Sequence, residues 1–169
     1  MDNILGNKDI ENTIDKYSNM LYRTCFLMLR NKQDAEDVMQ ETFISYMTSN
    51  VGFVSEEHKK AWLLRVSQNK CKNILRFHKA HAHTSYEELE ETLPAHAKIL
   101  EEDVNELFRI AELSYNLKSV VMMYYIEGYS VKETAEILGI KTSAVKMRLK
   151  RAREILKITY EKVYEMGVN

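Results

Sequence analysis

An all-α fold is the expectation for this chain: two small helical domains joined by a linker, the C-terminal one a helix-turn-helix. Three observations carry it. The 169 residues hold one proline and five glycines, too little punctuation for a β-rich fold, while charged helix formers abound. Apolar residues recur at helical spacing in each segment described below. The stretch from Ser130 to Leu156, SVKETAEILGIKTSAVKMRLKRAREIL, reads as a helix, a tight turn at Gly139 and a second helix loaded with positive charge.

Taken in order, residues 10–30 form the first helix, with Ile14, Tyr17, Leu21, Cys25 and Met28 on its inner side. Asn31 and Lys32 break it, and a second helix runs from Asp34 to Met47, with Ala35, Met39 and Tyr46 on the side away from its acidic row. A turn containing Ser49, Asn50 and Gly52 precedes a third helix that starts near Glu57 or His58 and reaches Phe77. Its buried stripe is Leu64, Cys71 and Leu75, edged by Leu63 and Ile74. Residues 1–80 are thus one domain. In residues 81–103 Pro94 stands among acids (Glu87, Glu88, Glu90, Glu91, Glu101, Glu102, Asp103) offset only by Lys98, the composition of a linker. Residues 104–169 form the second domain, with helices over 104–114 and 117–127 ahead of the pair at its end.

That pair is the most specific local signal. Val131, Ala135 and Leu138 make an apolar stripe, and Ser130 with Glu133 fits a capping box. Gly139 can leave the helical region without strain. After the turn, where Lys141-Thr142 follows, Thr142 is the residue able to cap the second helix. Val145, Leu149, Ala152 and Leu156 form its inner stripe. At about 100° per residue, Ser143, Met147, Lys150 and Arg151 then face outward with Lys146 beside them, Arg148 and Arg153 lying on the flanks. Lys141, Lys146, Arg148, Lys150, Arg151, Arg153 and Lys157 are opposed by Glu154 alone. Such a helix suits a DNA major groove; the plainer reading is a surface hairpin with solvated lysines.

Charge is segregated elsewhere too, beneath a formal net charge of -1. From His58 to His81 there are seven cations (Lys59, Lys60, Arg65, Lys70, Lys72, Arg76, Lys79) and no acid. On the outward side of this helix lie Trp62, Asn69 and Asn73, flanked by Arg65, Lys72 and Arg76. Cations for phosphates, amides for base edges and an aromatic for stacking suit unpaired nucleic acid, although a lone tryptophan is more often core than platform. The second helix is the opposite. Asp34, Asp37 and Glu41 stack at i, i+3, i+7 beside Gln40 and Ile44, a face that repels DNA and suits a protein partner, or is merely solvated.

Enzyme chemistry is not expected. There is no glycine-rich phosphate loop, nucleophile elbow or His-Glu metal motif. His78, His81 and His83 have no thiol or carboxylate spaced to complete a metal site, so no metal or cofactor is expected. Two cysteines, Cys25 and Cys71, suit a reducing cytosol, the opening MDNILGNKDI lacks a signal-peptide layout, and the apolar run Val120–Ile126 is too short to enter a bilayer as a span.

Together these residues resemble the bacterial extracytoplasmic-function (ECF) sigma factors of the sigma-70 family. DAEDVMQETFISY is similar to the family's helix that docks on core RNA polymerase, with Asp37, Gln40 and Glu41 at its contact positions. AWLLRVSQNKCKNILR resembles the helix that meets the minus-ten element of promoter DNA during melting; Asn69 falls beside the flipped-out base and Phe53 in the loop closing its pocket. EGYSVKETAEILGIKTSAVKMRLKRAREIL resembles the minus-thirty-five reader, with Lys146, Met147, Lys150 and Arg151 facing the groove. The resemblance implies a cytoplasmic transcription initiation factor, held by an anti-sigma factor that is often membrane-anchored. Met39, Ile44 and Met147, expected to be exposed, are candidate contacts for it. The alternative, a stand-alone helix-turn-helix regulator, leaves the acidic helix and the Trp62/Asn69 face without a role.

Overall fold

The structure, a computed structural model, describes residues 6–81 and 112–167, with side chains to residue 157. Every regular element among them is helical. The chain divides into two compact units, Met1–Glu91 and Thr92–Asn169. The proposed linker and the helix expected over 104–114 lie almost wholly outside the described residues.

The first unit is built from α1 (Asn7–Leu29), α2 (Lys32–Thr48) and α3 (Glu56–Ala80). The corner between α1 and α2 is one residue tighter than the sequence suggests. Arg30 turns into the left-handed region at φ 54° and donates its N–H to the Phe26 carbonyl, and Asn31 then caps α2 by accepting from the Asp34 N–H at 2.9 Å. Lys32 is already helical. Ser55 caps α3 by accepting from the His58 N–H, so that helix starts at Glu56.

Ile10, Tyr17, Leu21, Phe43, Tyr46 and Leu63 form one buried cluster, with Met39, Phe53 and Trp62 packed half-buried against it. The buried face of α3 differs from the expected stripe. Leu63, Leu64, Ser67, Gln68 and Cys71 are buried, whereas Ile74 and Leu75 are only half-buried. Cys25 and Cys71 are free thiols; Cys25 beside it, together with burial, pushes the Cys71 thiol up.

A polar knot closes one end of this unit. Lys59, one of the seven cations counted above, is buried: its ammonium pairs with Asp9 at 3.2 Å and Glu56 at 3.1 Å, and donates to the Thr13 hydroxyl at 3.3 Å. Tyr46 donates to Asp9 at 2.5 Å and accepts from Thr13 at 3.2 Å; Tyr17 donates to Glu56 at 2.8 Å. Burial alone would push the Lys59 pKa down, but its bonds to Glu56, Asp9 and Tyr46 outweigh that and leave it raised. The Tyr17 hydroxyl and Lys59, against a smaller opposing effect of burial, hold the Glu56 carboxyl at about 2, below its ordinary 4.5. A depressed carboxyl contributes stability that is fully present above its unfolded-state value and is lost as pH falls through the folded one. The melting temperature is therefore expected to fall between pH about 4.5 and about 2, and Glu56→Gln to flatten that segment of the curve, followed by circular dichroism. An unchanged acid limb in Glu56→Gln would remove Glu56 from the knot.

The second unit contains α4 (Tyr115–Val121), which runs into a π-helical turn at Met122–Ile126, then α5 (Val131–Leu138) and α6 (Thr142–Gly167). In that turn the Glu127 N–H reaches back to the Met122 carbonyl at 2.9 Å, five residues away, and the Tyr129 N–H to Met123 at 3.0 Å. Gly128, at φ 75°, redirects the chain toward α5. The capping box is complete: Glu133 N–H donates to the Ser130 hydroxyl at 3.1 Å and Ser130 N–H to the Glu133 carboxylate at 2.8 Å. Gly139 adopts φ 66°, and the Ile140 N–H bonds the Ala135 carbonyl, closing the helix end as a Schellman turn does.

Two details here depart from the sequence reading. The buried residues of α5 are Thr134, Ala135 and Ile137, with Val131 and Leu138 half-buried at the rim. And Thr142 does not cap α6. It is already the first helical residue, while the Lys141 carbonyl accepts from the Val145 N–H at 3.1 Å, so Lys141 holds the cap position. Val145, Leu149 and Ala152 are buried as expected, and α6 continues to Gly167. Among the described residues no helix is long and apolar enough to cross a membrane.

Candidate nucleic-acid interface

On α3, Arg65, Asn69, Lys72, Asn73 and Arg76 are all exposed. At i, i+4, i+7, i+8 and i+11 they form one continuous strip, about 16 Å long at 1.5 Å per residue. The strip exists because the opposite side of α3 is committed to Leu64, Ser67 and Cys71 in the core.

Trp62 is placed differently from the expectation. It is half-buried, its ring 5.6 Å from that of Phe53 and 6.4 Å from that of Tyr46, both edge-on. It is thus not an open stacking platform on the strip but a wall of an aromatic cluster. The reason is the loop before α3, which folds Phe53 back over the core so that Phe53 meets Tyr46 at 5.6 Å and His58 at 5.4 Å. His58 Nδ1 accepts the Val54 N–H at 3.2 Å, fixing the loop and leaving the Val54 side chain 87% exposed. Tyr46 is the floor of this cluster and is anchored from below by Asp9 and Thr13. The polar knot therefore supports Phe53 and Trp62, a link that sequence spacing did not reveal.

The acidic ridge of α2 is present, with one member partly withdrawn. Asp37, Gln40, Glu41 and Ile44 are exposed, Ile44 by 54%. Asp34 is half-buried, its carboxylate 2.9 Å from His78 Nε2 on α3. Glu41 lies 3.7 Å from the Lys70 ammonium yet stays largely exposed. Solvated pairs of this kind hold little energy, at most about 1 kcal/mol, so Glu41 can exchange Lys70 for another partner. Met39, proposed above as an exposed contact, is packed against the core instead.

On α6, Ser143, Lys146, Met147, Lys150 and Arg151 are exposed together, Met147 by 73%. Arg148 is half-buried and helps line an open groove of about 410 Å³ with Leu113, Ser114, Leu117 and Ile155. Arg153 is held: its Nε donates to the Tyr125 hydroxyl at 2.6 Å and its guanidinium lies 5.7 Å from the centre of that ring. No group of three or more histidines, cysteines or carboxylates placed to hold a metal occurs among the described residues.

Comparison with known proteins assigns both units. Residues 13–81 match the family described as sigma-70 region 2, and residues 107–156 match sigma-70, region 4. The ECF RNA polymerase sigma factor SigM of Bacillus subtilis (strain 168) is 31% identical over 169 residues, covering 95% of this chain and 98% of the relative. SigW of the same organism, also an ECF RNA polymerase sigma factor, is 29% identical over 158 residues, covering 85% of this chain and 84% of the relative. In fold, the chain is similar to the sigma factor RpoE in its complex with the anti-sigma factor NepR from Bartonella quintana, with a TM-score of 0.73, 21% identity, and 91% and 98% of the two chains covered. CnrH, solved with the cytosolic domain of CnrY, gives a TM-score of 0.66 at 24% identity, covering 93% of this chain and 90% of that one.

Proposed function

The chain belongs to the ECF sigma factors of the sigma-70 family, a family of transcription initiation factors, and from that premise we propose how its surfaces divide the work. It acts as an RNA polymerase sigma factor rather than as a stand-alone regulator. The α2 ridge of Asp34, Asp37, Gln40, Glu41 and Ile44 docks on core polymerase. The α3 strip of Arg65, Asn69, Lys72, Asn73 and Arg76, with the Phe53 and Trp62 cluster beside it, takes the melted minus-ten strand. Unstacking a base costs a few kcal/mol, and a preformed aromatic wall with amides at its edge offsets that cost. On α6, Ser143, Lys146, Met147, Arg148, Lys150 and Arg151 meet the duplex at the minus-thirty-five element. There the cations hold phosphates or guanine edges and the Met147 side chain suits a thymine methyl. The working boundaries are 1–80 for the first domain, 81–103 for the linker and 104–169 for the second.

The observation that carries this reading is the separation of charge within one three-helix unit. An exposed acidic ridge on α2 and a cationic strip on α3 give that unit one face for protein and another for DNA. Run-off transcription tests it. Core polymerase supplemented with the full chain is expected to yield discrete transcripts from a promoter recovered from a randomised library. Asp37→Lys with Glu41→Lys is expected to lower the yield at least tenfold, while binding of the free protein to duplex DNA is retained. Absence of specific transcripts with the unaltered chain would overturn the proposal.

RpoE of Bartonella quintana and CnrH are held in their solved structures by partner proteins. By analogy an anti-sigma factor restrains this chain, covering Ile44 and Met147, and the chain works in the cytoplasm, sequestered at the inner membrane face when that partner is membrane-bound.

A further inference from the structure

The pairing of Tyr125 with Arg153 is not used by any contact assigned above. Lys146, Lys150 and Arg153 fall at i, i+4 and i+7 and are exposed, so Arg153 extends the outward row of α6 by one turn instead of leaving it at the flank. At about 1.5 Å per residue it lies about 10 Å along the axis from Lys146, close to the ~12 Å width of the major groove. If Lys146 reaches base edges, Arg153 stands at the rim, where the phosphates are.

Its geometry is that of a prepared anion ligand. The bond from Nε to Tyr125 and the contact with the ring fix the guanidinium plane, while its two terminal amino groups have no partner among the described residues. A free arginine loses rotamer freedom when it binds a phosphate; one already fixed loses less. Tyr125 reaches Arg153 from the π turn Met122–Ile126, which re-aims side chains relative to a regular helix, and its ring stays 53% exposed next to the cation. We propose that Tyr125 and Arg153 form a phosphate clamp, Arg153 binding one backbone phosphate at the edge of the groove entered by α6 and Tyr125 positioning it. The clamp rests on α6 being the duplex reader, and it adds affinity without sequence information.

A methylphosphonate scan tests it. Holoenzyme made with the full chain is bound to promoter duplexes in which the phosphates flanking the minus-thirty-five element are neutralised one at a time. One position is expected to weaken the unaltered protein about three- to tenfold and to leave Arg153→Gln, already weaker, indifferent. Arg153→Gln is also expected to lower the salt slope of duplex binding by about 0.9. Tyr125→Phe keeps the ring and loses the hydroxyl; it is expected to remain sensitive at the same phosphate with about two- to threefold lower affinity. If Arg153→Gln keeps the full phosphate profile and salt slope while only its melting temperature drops, the pair is an internal staple and the clamp is overturned. Lys150→Ala, run in parallel, separates the two ideas. Loss of binding there with an unaltered profile in Arg153→Gln sinks the clamp alone, whereas indifference in both removes α6 from the duplex altogether.

Discussion

Tyr46→Ala is expected to lower the stability of the N-terminal unit by about 3–5 kcal/mol, the range for deleting a large buried aromatic side chain. Tyr46 is fully buried, and its ring touches both Phe53 and Trp62. Its loss also strips Asp9 and Thr13 of a hydrogen-bond partner. A domain of this size is stable by about 5–10 kcal/mol, so the variant stands near its unfolding threshold. Urea denaturation of the full chain followed at Trp62, the single tryptophan, reports this unit directly. Tyr46→Phe keeps the ring and is expected to lose only about 1–2 kcal/mol. A loss below about 1 kcal/mol in Tyr46→Ala would mean that the aromatic cluster is not a structural unit.

The second large effect concerns α6. Lys150→Ala with Arg151→Ala is expected to weaken binding to the duplex element by about 100-fold, since each contact to a base edge or phosphate contributes about 1–3 kcal/mol. The salt slope is expected to fall by about 0.9 for each phosphate contact removed. Both side chains are exposed and the buried stripe of Val145, Leu149 and Ala152 is untouched, so the fold is retained. Fluorescence anisotropy across a salt series separates the outcomes. Unchanged affinity and slope would exclude both residues from the interface.

Much of this was legible in the residues because helical periodicity sorts faces well. The outward set on α6 and the exposed ridge on α2 follow from spacing alone, and so does the capping box, since Ser130 and Glu133 interact within one turn. The failures are tertiary. Spacing put Trp62 on the outer face of α3, but the preceding loop returns over it, and no helical wheel contains a loop. Lys59 counted with the other cations of α3 because Asp9 and Thr13, which hold it inward, belong to α1; Glu56 alone lies within a turn of it on α3. Tyr125 gave no sign of its role, because a π turn breaks the period that such reasoning uses. Thr142 was the better capping residue by chemistry, yet the Schellman turn at Gly139 and Ile140 had already fixed where the next helix begins.

The π turn has a consequence for how the chain tolerates changes in length. Such a turn holds one residue more than an α turn, so everything after it is rotated by about 100° relative to an unbroken helix. Deleting one residue between Met122 and Ile126 would restore regular geometry and leave the composition almost unaltered. It would re-aim Tyr125 away from Arg153 while nearly keeping the direction in which Gly128 hands the chain to α5. This segment therefore behaves like a spare link: removing its extra residue keeps the direction of the chain that follows, whereas a deletion in the regular turns of α4 rotates it by about 100°.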